Sequence, residues 1–345
     1  MNRVRTILLA SSVVAVGATA VVAALSLLVL SIAAQNPAAA PPPPATPLPW
    51  AYPLNPPPTP GAQPAPVDNT AKHSVPGSSV SLPLPQIRDL FNPPDWYPED
   101  HPSMPEAVKS GRRPDVRACG YCHLPNGQGR PENASLVGLP AGYIIQQMAD
   151  YKNGLRKSSE PRMGPPATML VIGKAANDAE VKQAAEYFAS IKPKPWIRVV
   201  ETKEAPKFSP QGWMLVAAEG GGTEPIGQRI VEMPENLERT ELRDSKSGFV
   251  AYVPQGSIKK GEALVTTGGY GKTIRCAICH GADLRGLGNV PSIAGRSPSY
   301  ITRQLWDIKT GSRNGPWTQL MKEAVAKLTL DDLVAIGAYT SSRTP

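Results

Sequence analysis

Two short clusters carry the residue types and spacing that can do chemistry: Cys119-Gly120-Tyr121-Cys122-His123 and Cys276-Ala277-Ile278-Cys279-His280. Cys-x-x-Cys-His is the attachment signature of c-type haem. Two thiols three positions apart can bond the two vinyl groups of one porphyrin edge, and the adjacent imidazole then meets the iron as its proximal ligand. Two other chemistries use paired cysteines. A thioredoxin-like redox pair needs a strand–helix context, and a structural zinc would need ligands from both distant clusters. The immediate histidine in both copies favours two covalently bound haem c groups. These clusters use all four cysteines in the chain, which leaves no free thiol and suits an exported protein.

The clusters lie 157 residues apart, and the same offset pairs much more than the cysteines. It matches Gly129 with Gly286, Ser135 with Ser292, Gly138 with Gly295 and Tyr143 with Tyr300. It continues through Gln147/Gln304, Asp150/Asp307, Lys152/Lys309, Gly154/Gly311 and Arg156/Arg313. Five extra residues in the first copy then reset the offset to 152, pairing Met169 with Met321, Ala185 with Gly337 and Tyr187 with Tyr339. One module is therefore present twice. Helical spacing places Ile144, Gln147, Met148 and Tyr151 on one face, and Ile301, Leu305 and Ile308 on its counterpart. A last helix in each module carries Val181, Ala185 and Phe188, or Leu330, Leu333, Val334 and Gly337, with Asp178 and Thr329 as N-caps.

His and Met are the usual sixth ligands of a c-type haem iron. Of the four histidines, His123 and His280 are in the clusters, while His73 and His101 sit in proline-rich lead-in sequence. The repeat nominates Met321 for the second iron and Met169 for the first, with Met163 as a rival because the position of the insertion is open. Met148, on a helix face, reads as gap-filling core. Thioether ligation favours ferrous iron and fills the position that oxygen or peroxide chemistry needs.

These residues resemble the class I cytochromes c, especially the tandem two-haem electron carriers of bacterial periplasms. The resemblance covers roughly 105–192 and 257–343. It implies that Tyr143, Gln147 and Arg156, with Tyr300, Gln304 and Arg313, line the haem edges, the arginines near the propionates. It also implies a proline whose carbonyl orients the proximal histidine. Pro291 fits that place in the second module, whereas the first has Ala134 there, with Pro131 close by. Ser257–Thr266 reads as the first helix of the second module, while Ser110–Arg117 is interrupted by proline and arginine.

The elements around the modules follow from composition. The chain has 345 residues, 41% of them apolar and 19% charged, with 40 prolines and 30 glycines, enough for two ordinary domains. Arg3 and Arg5 precede an uncharged run from Ile7 to Ala34, 28 residues that exceed the need of a ~30 Å hydrocarbon core. Residues 1–36 read as an N-terminal transmembrane anchor, or as a long signal cut near Ala33–Ala34 or Ala38–Ala40. Residues 37–66 hold 14 prolines and predict an extended polyproline tether rather than packed structure. The irregular lead-in runs on to 104.

Segment 193–256 lies outside the repeat, and its runs Trp196–Val200, Trp213–Ala217 and Phe249–Val253 predict strands, as a structured linker or a docking surface. The expected fold is mainly α. Two small class I cytochrome c domains (105–192 and 257–345) are joined by a partly β segment and preceded by the span and tether.

The net charge of +8 does not choose among partners, and no phosphate loop, hydrolytic triad or aromatic-interleaved basic track supports nucleotide or nucleic-acid work. Lys109, Arg112, Arg113, Arg117 and Arg130 surround Cys119 and offer a patch for an acidic redox partner. The reading is a dihaem carrier of single electrons on the periplasmic side of a bacterial inner membrane, or soluble in the periplasm if the signal is cleaved. Its donor would be a dehydrogenase or quinol-oxidising complex and its acceptor an oxidase or other cytochrome. Two alternatives stand beside it: the electron-accepting subunit of one particular dehydrogenase, and a dihaem peroxidase with His73 or His101 in place of Met169.

Overall fold

A computed structural model describes residues 47–57, 61 and 67–345. The proposed span Ile7–Ala34 and the first part of the tether lie outside the described residues. Among the described residues no helix is long and apolar enough to cross a membrane.

The first repeat forms helices α1 (Cys119–His123), α2 (Ala141–Lys152), α3 (Gly164–Ala175) and α4 (Asp178–Ser190). The second forms α5 (Ser257–Thr267), α6 (Ala277–His280), α7 (Pro298–Lys309), α8 (Gln319–Ala326) and α9 (Leu330–Ser341). Each module builds its own core around the last helix. Ala184, Ala185 and Phe188 of α4 pack with Val108, Val137 and Ile144, while Leu333, Ile336 and Tyr339 of α9 pack with Leu264, Val265 and Ile308. Two glycines let the second module close. A Cβ on Gly261 would sit 2.0 Å from the Ala335 carbonyl, and one on Gly337 would sit 2.7 Å from Thr302 Oγ1. Helix α9 therefore touches α5 and α7 backbone to backbone.

The cap of α4 is one residue earlier than the sequence suggested. Asn177 accepts the Glu180 N–H while the Glu180 carboxylate takes the Asn177 N–H, each at 2.9 Å, so Asp178 is the first helical residue. Thr329 caps α9 as expected, in a reciprocal box with Asp332. Asp332 is fully buried and also pairs with Lys260 at 2.9 Å and Lys272 at 2.7 Å. Burial alone would raise its pKa. The two ammonium groups and the Thr329 N–H and hydroxyl outweigh that and hold the carboxyl well below the usual range. A depressed folded pKa gives stability that is present above the unfolded carboxylate value, about 3.9, and is lost as pH falls below it. Asp332→Asn should therefore melt lower at neutral pH and lose less on acidification than the parent. Melting curves from pH 7 to pH 3 with parallel slopes would contradict this.

Segment 193–256 contains strands β1 (Ile197–Thr202), β2 (Glu204–Pro206), β3 (Phe208–Gln211), β4 (Met214–Ala217), β5 (Thr223–Pro225), β6 (Val231–Pro234) and β7 (Phe249–Pro254). Strand β7 is central, antiparallel to β6 and parallel to β1, while β3–β4 and β2–β5 are two-stranded pairs. Val231, Met233, Ala251 and Val253 share a core with Val334 and Ala338 on the far face of α9. The segment is thus a third packing layer, not only a connection.

The tether departs from its expected extended state at one place. Leu48, Trp50, Ala51 and Tyr52 are buried in the same core. Tyr52 donates to Asp307 at 2.7 Å, and Arg303 donates to the Ala51 carbonyl at 2.6 Å. The physical reason is that two aromatics and a leucine interrupt the proline run, and their apolar area outweighs the preference for a solvated helix. The lead-in is also packed, with Val75, Ile87, Trp96 and Tyr97 forming a small cluster with Leu242.

Candidate haem sites

Helix α1 holds two cysteines and a histidine, and α6 holds Cys279 and His280 with Cys276 as its N-cap. His123 Nδ1 lies 2.7 Å from the Ala134 carbonyl, and His280 Nδ1 lies 2.8 Å from the Pro291 carbonyl. With Nδ1–H donated to a carbonyl, the Nε2 lone pair of each ring is left for a metal. The expected proline is thus dispensable in the first module, because the acceptor is a main-chain oxygen that alanine supplies equally well. Pro131 does not take the role. The loops close this tightly only at left-handed glycines. A Cβ on Gly129 would meet the Ala134 carbonyl at 2.6 Å, and one on Gly286 would meet that of Val290 at 2.6 Å.

Burial pushes the His123 imidazole down to about 4 and lowers that of His280, so both are neutral at physiological pH. Burial also drives the Cys119 thiol up to about 12 and the Cys276 thiol up to about 11. None of the four cysteines is in a disulfide, and among the described residues no group of three or more His, Cys, Asp or Glu side chains could hold a metal ion. The donor set fits a thioether-linked macrocycle and lacks the third and fourth ligands of a zinc site.

In module one these groups open onto a cleft with about 1280 Å³ of free space, part of it continuous with solvent. Cys119, Cys122 and His123 form one wall. Apolar side chains such as Leu136, Ile144, Ile172 and Phe188 line it, and two thioethers reach it, Met169 from α3 and Met148 from α2. Met148 is therefore a wall residue rather than core filling. Its repeat partner is Leu305, which cannot ligate a metal, whereas Met169 pairs with Met321. Met163 is fully buried in the separate core that holds Trp50 and Met233. In module two, Met321 and Cys276 pack against one cluster with Leu264 and Val325. The two remaining histidines stay apart from the cleft. His101 bonds Asp95 at 3.1 Å, and His73 lies in a two-residue strand.

The six residues expected at haem edges meet in one polar seam between the modules. Arg156 donates to Gln147 at 3.0 Å in its own module, and to Tyr300 at 2.8 Å and Gln304 at 3.2 Å in the other. Arg313 mirrors this, donating to Gln304 at 3.1 Å, Tyr143 at 2.8 Å and Gln147 at 2.8 Å. Residues 156 and 313 also form an antiparallel bridge, flanked by Lys157 N–H to Ser312 O at 2.8 Å and Asn314 N–H to Leu155 O at 2.7 Å. The repeat thus exchanges equivalent partners across a local two-fold. Among the described residues the buried Arg313 Nε has no hydrogen-bond partner, a donor that a propionate oxygen would satisfy.

Three arginines that sequence reasoning missed are part of this region. Arg303 and Asp307 of α7 line the module-one cleft from module two. Arg296 is buried without a carboxylate and ties the modules together, donating to carbonyls of Ser135 at 2.9 Å, Val137 at 3.1 Å and Ser292 at 2.7 Å. The third, Arg243, covers the first cysteine cluster. The Asp150/Asp307 repeat pair was the only sequence signal, since Arg303 faces Gln146 in the other copy. Three of the five residues of the basic patch around Cys119 are neutralised, Arg112 by Glu180 at 2.8 Å, Arg113 by Asp89 at 3.4 Å and Arg130 by Glu132 at 2.6 Å.

Known proteins share this organisation, although no family model matches the chain. It is 26% identical over 234 residues to the thiosulfate dehydrogenase electron acceptor of Thiomonas intermedia, covering 67% of this chain and 80% of that protein. It is 30% identical over 135 residues to cytochrome c4 of Stutzerimonas stutzeri, covering 34% and 63%. Cytochrome c-554(548) of Halomonas halodenitrificans is 33% identical over 69 residues, 20% of this chain and 83% of that one. The chain belongs to the class I cytochromes c, in the tandem dihaem form. It carries two covalently bound haem c groups and is an electron carrier rather than an enzyme in itself.

Proposed function

We propose that His123 with Met169, and His280 with Met321, are the axial pairs, and that the chain passes single electrons from an exported dehydrogenase to a downstream acceptor. The bound group supplies reversible one-electron cycling of iron. The protein's own part is to fix both imidazoles through Ala134 and Pro291, to keep the cleft apolar, and to bring the modules' polar edges together. That last feature, the Arg156–Tyr300 and Arg313–Tyr143 exchange, is the observation that most supports a two-centre carrier.

The N-terminal run supports attachment to the inner membrane, with both modules on the periplasmic side. One relative's description as an electron acceptor of thiosulfate dehydrogenase supports a dehydrogenase as donor. Capture of the full chain from native membranes tests the reading. A catalytic dehydrogenase subunit should co-purify at low salt and wash off at high salt, as a carrier's partner does. A one-to-one complex that survives high salt would replace the carrier with a permanent subunit.

A further inference from the structure

The two modules differ on the face that presents the cysteines, and the difference comes from the chain itself. In module one, Gly120 and Tyr121 between the cysteines are covered. A Cβ on Gly120 would lie 2.9 Å from the Val108 carbonyl. The Arg243 guanidinium lies 3.4 Å over the Tyr121 ring and donates to the Tyr121 carbonyl at 2.6 Å. That cover is anchored on both sides. Trp96 donates to the Leu242 carbonyl at 2.8 Å, and Asn126 donates to that of Ser245 at 3.0 Å.

In module two the corresponding residues are Ala277 and Ile278, and among the described residues nothing comparable lies over them. Ile278 is 57% exposed and Ile274 is exposed beside it. Thr273 donates to the Ala324 carbonyl at 2.7 Å, which holds this loop against α8. There Leu320, next to Met321, is 78% exposed. Around these apolar groups stand Arg275, Lys322 and Lys327, exposed and without an ion-pair partner among the described residues. Glu323 and the Asp283–Arg285 pair are the counter-charges nearby.

We infer that the molecule has one electron port: an acidic redox protein with an apolar centre docks on the Ile278–Leu320 face of module two, while the lead-in and residues 240–245 close the equivalent face of module one. The inference rests on the carrier reading above. Of the basic patch that looked like a docking site in the sequence, Arg112, Arg113 and Arg130 are paired off in module one and Lys109 and Arg117 are not, whereas on module two the unpaired Arg275, Lys322 and Lys327 stand around exposed apolar side chains. Charge of this kind raises encounter rates and sets orientation, while the apolar centre supplies the contact. Exchange is outer-sphere, with one electron crossing and no proton or bond changing partners.

The test uses the haem-loaded, reduced protein and the redox-inert tris(oxalato)chromium(III) trianion as an NMR broadening probe. Signals of Arg275, Ile278 and Leu320 should broaden first, with Tyr121 and Lys109 unaffected. Arg275→Glu/Lys322→Glu should abolish that broadening and slow oxidation by ferricyanide about tenfold at low salt, an effect that fades at high salt. Lys109→Glu/Arg117→Glu should change neither. If the double charge reversal unfolds, Arg275→Gln/Lys322→Gln should give the same pattern at smaller size. Broadening centred on Tyr121 and Lys109, or equal sensitivity of both variants, would overturn the single port. Protein that exports without covalent haem would instead defeat the carrier reading itself.

Discussion

Met321→Ala should remove one haem's share, about half, of the red methionine-to-iron charge-transfer band of the oxidised protein, and Met169→Ala the other share. Both substitutions should leave the protein folded and coloured, because the thioether bonds do not depend on the sixth ligand. The reduction potential of the affected centre should fall, since loss of the thioether withdraws the ligand that favours ferrous iron. Met148→Leu is the matched control. Met148 also lines the module-one cleft, but it faces Leu305 in the repeat, so its replacement should leave the band intact. A band lost in Met148→Leu and kept in Met169→Ala would reassign the first ligand.

Gly261→Val should be the most destabilising single change in module two. The first side-chain carbon would lie 2.0 Å from the Ala335 carbonyl and 2.6 Å from Tyr339 Cβ, so α5 and α9 must separate. Overpacking in a closed core usually costs about 1–3 kcal/mol, and a clash with backbone rather than with a flexible side chain belongs at or above the top of that range. Helix α9 also carries Val334 and Ala338 into the sheet layer. Its displacement should therefore loosen the inter-module segment as well. Thermal unfolding and proteolysis of the loaded protein measure both. A melting temperature within a degree or two of the parent would mean that the crossing is softer than the structure shows.

Much of this was legible because a repeat is its own alignment. The offset of 157 alone places both clusters, the helices after them and the Arg156/Arg313 pair. Local signals also served well at Thr329 and at the strands beginning near Ile197, Met214 and Phe249. What escaped was long-range. Nothing local in Leu48–Tyr52 says that a proline run will dock on α7, because the stabilising partners are Arg303 and Asp307, about 250 residues away. Gly261 reads as an unfavourable helix residue until the helix it touches is known. Arg243 sits in a turn whose meaning depends on Tyr121 lying beneath it. The arginines of the seam were nominated for haem edges by resemblance, but their exchange between modules appears only when the two copies face one another.

The central claim is that both Cys-x-x-Cys-His clusters hold porphyrin iron covalently, and the most direct measurement is the intact mass of the exported protein after acid–acetone treatment. The mass should exceed that of the polypeptide by two haem groups, with the colour remaining in the protein pellet. Cys279→Ser should weaken one attachment without touching the other. A mass equal to the bare chain, with all colour passing into the solvent, would contradict the account.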